Sequence, residues 1–315
     1  MRRFRLSPVA YRRITLIAAI LLGIIIVTGA AVRLTGSGLG CPDWPNCEPG
    51  SLTPKSADGG HAMIEFVNRM FTGLVSVAVI VCVLGSLIRD PRRKDLIWLS
   101  LGLVAGVIAQ AVVGGLTVIF DLRPEFVMTH FMLSLVLLTD AIVLYKRAGE
   151  PHTRAELAVE PRVRTFSRAL VALICVVVVT GTVVTSTGPH GGDRHAKRFA
   201  FDISHVARIH GISVMVFLAL TLVILRMLRR TRASEGVQTR LGAVLVAACV
   251  QAAIGYVQYF NGIPALLVGL HIAGATAVWT AVIWFYLGLF TRPAEAASGA
   301  PAPAAATGSG ELLPA

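Results

Sequence analysis

The chain has 315 residues, 55% of them apolar and only 15% charged, with a mean hydropathy of +0.73. Soluble domains carry about a quarter charged residues, so an ordinary globular enzyme is excluded, and five cysteines are too few for a disulfide scaffold. The net charge of +12 does not indicate nucleic-acid binding, because Lys and Arg stand in short clusters between apolar blocks and form no continuous basic face.

Those blocks are about twenty residues long, the length that crosses a hydrocarbon core. They predict an all-α polytopic membrane protein with eight helices over 14–32, 62–88, 96–120, 126–145, 167–187, 203–227, 241–259 and 265–290. The first block keeps Arg12 and Arg13 on its flank, and Val32-Arg33-Leu34 offers no small-residue exit, so it reads as a retained helix and not a cleaved signal. Basic clusters at Arg2–Arg13, Arg89–Lys94, Lys146–Arg164 and Arg229–Arg240 alternate with poorer connections, which predicts a multi-pass topology with both termini cytoplasmic. The expected units are a cytoplasmic N-terminus (1–13), a four-helix half (14–145), a cytoplasmic linker (146–166), a second four-helix half (167–290) and a disordered Pro/Ala-rich tail (291–315).

The first outer connection holds Cys41 and Cys47 around Pro-Asp-Trp-Pro-Asn. Two cysteines six apart in an oxidising compartment form a disulfide readily. With no CxxC present, a dedicated dithiol oxidoreductase is disfavoured. The second helix opens with His61, Glu65 and Asn68, spaced i, i+4 and i+7 on one face. A carboxylate this near the membrane is expensive unless paired or working. Arg69 could neutralise Glu65 structurally, or Glu65 could serve as an acid/base beside a bound substrate. Cys82, Cys175 and Cys249 fall within spans and read as small core residues.

The two halves repeat each other. Val27-Thr28-Gly29 recurs as Val179-Thr180-Gly181 at an offset of 152, and Gln110, Gly114 and His130 recur as Gln251, Gly255 and His271 at 141. Tandem four-helix bundles are the economical architecture, the extra residues of the first half falling mostly in the outer loop with Cys41 and Cys47. Of the eight histidines, His152 reads as solvated surface, and for His190 and His195 a surface reading is favoured. His130, His210 and His271 lie within about two turns of the outer ends of even-numbered helices. Two imidazoles on facing helices can clamp a haem iron from both sides, which suits His210 with His271. Zinc fits less well, because no Cys, Asp or Glu stands at ligand spacing. His210 maps onto Asn68 in the first half, which is not a histidine.

Eight spans in two halves, a Cys pair after Leu-Thr-Gly-Ser-Gly, Glu65-x-x-x-Arg69 opening helix two and histidines on even helices together resemble the heme A synthase family. The resemblance runs from about residue 12 to 290. It implies a bacterial plasma-membrane oxidoreductase that oxidises the C8 methyl of haem O to a formyl group, giving haem A for terminal oxidase. It implies haem b as cofactor on His210 and His271, substrate haem O on His130, a catalytic Glu65 and a redox-active pair Cys41–Cys47. Arg33, Arg69 and Arg123 become candidates for haem propionates or for interfacial anchors. Haem O synthase and terminal oxidase assembly factors are the implied protein partners.

The chain departs from the family's Glu-x-x-His-Arg at Asn68. The substrate haem is then held by His130 alone, or with His61 and the haem moved outward, since two turns (about 10 Å) separate 61 from 68. No second cysteine pair occurs in 188–202. Two rival classes remain, a dihaem b-type electron carrier and a transporter; polar groups gathered at one membrane face weigh against the transporter.

Overall fold

The computed structural model describes residues 5–55 and 60–294; Arg2, Arg3 and the tail beyond 294 lie outside the described residues. Eight helices, each long and apolar enough to cross a membrane, run as α1 (Pro8–Leu34), α2 (His61–Ile88), α3 (Lys94–Ile119), α4 (Pro124–Ala148), α5 (Pro161–Thr187), α6 (Ile203–Arg230), α7 (Glu235–Phe260) and α8 (Ala265–Leu287). The expected all-α membrane architecture is what the chain adopts.

Helix ends are set by caps and not by the edge of the apolar block. α1, α5 and α7 each begin six residues before the expected span. Ser7 accepts a bond from the Ala10 amide, with Pro8 in the first turn, and Pro161 opens α5 in the same way. At the other end of the chain, α8 stops at Leu287, three residues early. There Phe290–Thr291 (β2) pairs antiparallel with Glu156–Leu157 (β1). The 146–166 linker is therefore partly strand, and the first residues assigned to the tail are tied down: Arg292 bonds the Thr153 carbonyl and lies 3.4 Å from Glu150.

Within the first half α1 packs on α2 and α4, and α3 on α4; α5–α8 repeat the arrangement, and α1 and α4 meet α8 between halves. Tyr11, Leu103, Leu135 and Leu144 of the first half and Phe217, Ile224, Leu241 and Phe285 of the second belong to one continuous core. Trp279 Nε1 donates to Thr139 Oγ1 across the seam at 2.9 Å. Outward rows such as Ile17, Ile20 and Ile24 on α1 and Val77, Ile80 and Leu84 on α2 are exposed, as faces turned to lipid require. Cys82 is core as expected, but Cys175 and Cys249 face outward, because their positions fall on the lipid side of α5 and α7. The α1–α2 connection, residues 35–60, is 11 residues longer than the α5–α6 connection, 188–202, which accounts for the drop in repeat offset from 152 to 141.

The basic end is clamped by one carboxylate. Asp95 receives Arg93 Nη2 at 2.7 Å and Arg147 Nη2 at 2.5 Å, while Arg93 Nη1 also donates to the Arg147 and Glu150 carbonyls. Asp95→Ala is expected to cost about 2 kcal/mol, below a fully buried pair because the carboxylate is partly exposed. The thermal midpoint in detergent checks this; an unchanged midpoint would remove the clamp.

Candidate functional site

A cavity of about 1100 Å³ occupies the end of the molecule opposite the basic clusters. It is larger than the roughly 300–1,000 Å³ of a single small-molecule site, and all eight helices line it. Its walls are mainly apolar, and Glu65 is the one carboxylate on them among the described residues, against Arg33, Arg69 and Arg208. The field inside favours an anionic guest.

The repeat builds the interior. His130 on α4, His210 on α6 and His271 on α8 each lay their ring on a glycine of the preceding helix. A Cβ at Gly114, Gly181 or Gly255 would stand 3.1, 3.0 and 2.9 Å from the respective ring Cε1. Glycine is thus required by the close approach of the imidazoles, not by a turn. Gln110 and Gln251 donate to the His130 and His271 carbonyls at 3.3 and 2.7 Å, tying α3 to α4 and α7 to α8. Nδ1 of His130 and of His271 is buried without a partner, whereas His210 Nδ1 lies 3.2 Å from Thr180 Oγ1, which orients that ring.

The His210 and His271 rings face each other with centroids 6.4 Å apart. Metal–imidazole bonds of about 2 Å on both sides of one ion place ring centroids roughly 6 Å apart. The pair fits an iron held between two histidines, and the mainly apolar walls suit a porphyrin. Among the described residues no three His, Cys, Asp or Glu side chains converge as a metal cluster.

The first half is closed from outside by its disulfide loop. Cys41 and Cys47 are bonded and fully buried. Gly40 lies so close to the first turn of α2 that a Cβ would stand 2.5 Å from the His61 carbonyl. That approach brings the Cys41 amide to Glu65 Oε2 at 2.8 Å. Arg69 then spends all five of its N–H donors: Nε and Nη2 on Glu65 Oε1, Nη2 also on the Cys41 carbonyl, and Nη1 on the carbonyls of Asp43 and Asn46. Trp44 reaches from the loop onto Gly115 of α3, one residue from the His130 rest, and lines the cavity.

The structure brings Glu65, Asn68, Arg69, His130, His210 and His271 to one cavity. His61 is not on its wall: it is exposed, with Nδ1 2.9 Å from Ser37 Oγ, because position 61 falls before the first turn has carried the helix inward. Arg123 is also off the wall, exposed and 3.5 Å from Glu125. Arg69 has no donor left for a propionate. Arg33 lines the cavity, its Nε on the His190 carbonyl and Nη2 on the Thr185 carbonyl, and Arg208 of α6 lines it as well. His190, read as surface, is half-buried and binds the Ile263 carbonyl at 2.8 Å, joining the loops of the second half. Sequence reasoning missed Arg208 as a wall residue, although Ser204, Arg208, Gly211 and Met215 mark its face at helical spacing. It also missed the role of the three resting glycines, which were visible only as repeat matches.

Residues 12–189 match the family described as "Cytochrome oxidase assembly protein". Curated relatives include the Heme A synthase of Lysinibacillus sphaericus, 29% identical over 168 residues (52% of this chain and 54% of that protein). The Heme A synthase of Listeria monocytogenes serovar 1/2a is 28% identical over 174 residues (54% and 57%), and that of Exiguobacterium sibiricum 29% over 170 residues (52% and 56%). In each alignment the chain spans little more than half the relative's length. The family match takes in Cys41, Cys47, Glu65, Asn68 and His130, while His210 and His271 lie beyond it.

Proposed function

The chain belongs to the cytochrome oxidase assembly protein family, and on that premise we propose that it is a plasma-membrane oxidoreductase of haem A synthesis. Its substrate is haem O, whose C8 methyl it oxidises to a formyl group. The observation that carries this reading is the histidine geometry: a facing pair 6.4 Å apart in the second half, and His130 on the same glycine rest in the first.

Haem b, between His210 and His271, would supply one-electron transfer. Everything else falls to the chain's own side chains. Thr180 holds the His210 ring in its orientation. Arg33 and Arg208 place positive charge where the carboxylates of an amphiphilic porphyrin would lie. Trp44 and the stapled loop cover the first half. Glu65, the single acid on the wall, is placed to hold or move a proton at its carboxylate while Arg69 stabilises the charged form. The substrate haem rests on His130.

The test is chromatography with mass detection of haem extracted from the purified full chain after co-expression with a haem O synthase. Haem A beside haem b is expected. A second reading, a dihaem b-type electron carrier, is favoured by the complete engagement of Glu65 and Arg69 in holding the loop. It predicts haem b alone, with haem O accumulating unconverted in the membranes.

A further inference from the structure

The repeat defines four equivalent positions, in each of which a side chain on an even helix faces a glycine on the helix before it. Three are histidines. The fourth is Asn68, whose amide nitrogen lies 3.9 Å from where a Cβ of Gly29 would stand. The register is unambiguous: α2 and α6 begin at His61 and Ile203, 142 residues apart, the same offset as Asn68 and His210. Gly29 and Gly181 are 152 residues apart, within one residue of the 153 that separates α1 from α5.

The cavity face of α2 offers Glu65, Asn68, Arg69, Thr72 and Val75. Both Glu65 oxygens and every Arg69 donor are committed to each other or to the loop. His61 is turned to Ser37. None of the five is a nitrogen or sulfur donor of the kind that holds haem iron; a carboxamide nitrogen has its lone pair delocalised into the carbonyl. Asn68 Oδ1 is nonetheless buried and without a partner among the described residues, so the position keeps a polar oxygen that they leave unsatisfied.

We propose, on the haem reading of the first half given above, that this half holds its haem through His130 alone. The opposite coordination position is left to an exogenous ligand of diatomic or water size, and the Asn68 amide is that ligand's hydrogen-bond partner. The second half, with histidines on both sides, admits no such ligand. The duplicated bundle is thereby divided into a closed haem for electron transfer and an open one for small-molecule binding, and the division is made at one residue. A neutral amide suits the role, since its N–H can donate to a bound diatomic and its orphaned Oδ1 can accept from a bound water, without titrating or competing for the iron.

The experiment uses the full chain purified with its haems after co-expression with a haem O synthase, with carbon monoxide as probe. The reduced protein is expected to show one carbon monoxide adduct per chain, and the oxidised protein one high-spin signal beside one low-spin signal. His130→Ala removes the adduct and the high-spin signal together. Asn68→His abolishes the adduct and converts the high-spin signal to low-spin. Asn68→Leu keeps the adduct but moves the carbon–oxygen stretch to higher frequency, because the polar donor is gone. Two low-spin haems and no adduct in the unaltered protein would overturn the proposal while leaving the haem reading in place. A single haem that vanishes in His271→Ala would overturn both. A stretch unchanged in Asn68→Leu would overturn the role given to the amide.

Discussion

His271→Ala removes one of the two axial side chains of the second half and is expected to weaken haem retention there by more than about 100-fold. Altering groups that only orient a metal ligand already costs 10–100-fold, and removing the ligand itself costs more. The His210 ring, left 6.4 Å from nothing that can bind iron, cannot hold a six-coordinate haem alone. The purified variant should therefore lose the low-spin haem while keeping whatever the first half binds. Gly255→Ala is the graded control. Its Cβ would press on the His271 ring at 2.9 Å, so the ring shifts and haem is held less tightly without any ligand being removed. Haem content per chain and the low-spin spectrum measure both. A His271→Ala protein with its full low-spin complement would sink the bis-histidine assignment.

Glu65→Gln is the second large effect, and its two consequences are separable. The carboxylate is 6% exposed and paired with Arg69 at 2.7 Å. The amide is isosteric and still accepts the Cys41 N–H, so the loop should stay seated. Losing the charge-assisted bonds to Arg69 is expected to cost about 1.5–3 kcal/mol. If Glu65 handles a proton in the reaction, haem A formation should fall by about 10²–10⁴-fold, with haem content unchanged. Glu65→Ala goes further, leaving Arg69 facing carbonyls alone and freeing the Cys41 amide. The Cys41–Cys47 bond should then become accessible to reductant. Full turnover in Glu65→Gln would reduce the residue to an anchor for the loop.

Much of this site was legible in the residues alone. Eight apolar blocks of membrane-spanning length could fold only as spanning helices, because a backbone in hydrocarbon must satisfy its own hydrogen bonds. The paired Gln, Gly and His at one offset disclosed the duplication, and the duplication exposed Asn68 as the position out of pattern. The disulfide followed from proximity in the chain.

Side-chain direction was not legible. Helical spacing put His61, Glu65 and Asn68 on one face, yet only the last two reach the cavity, because Ser37 and the Gly40 approach draw His61 into the loop. Arg69 and Arg123 looked alike as propionate partners. The fold used every donor of the first on Glu65 and the disulfide loop and left the other at the surface; of the three arginines named from the sequence, Arg33 alone lines the wall without being so consumed by that loop, joined by Arg208.

By itself the sequence determined the membrane architecture, the repeat and the equivalent placement of His130, His210 and His271, since these depend on hydrophobic length and on positions counted along a helix. Only the tertiary structure decided which polar groups share the cavity and which are used up elsewhere. That outcome depends on where loops of unequal length, residues 35–60 and 188–202, settle over two otherwise equivalent bundles, and periodicity within a helix carries no information about what lands on its end.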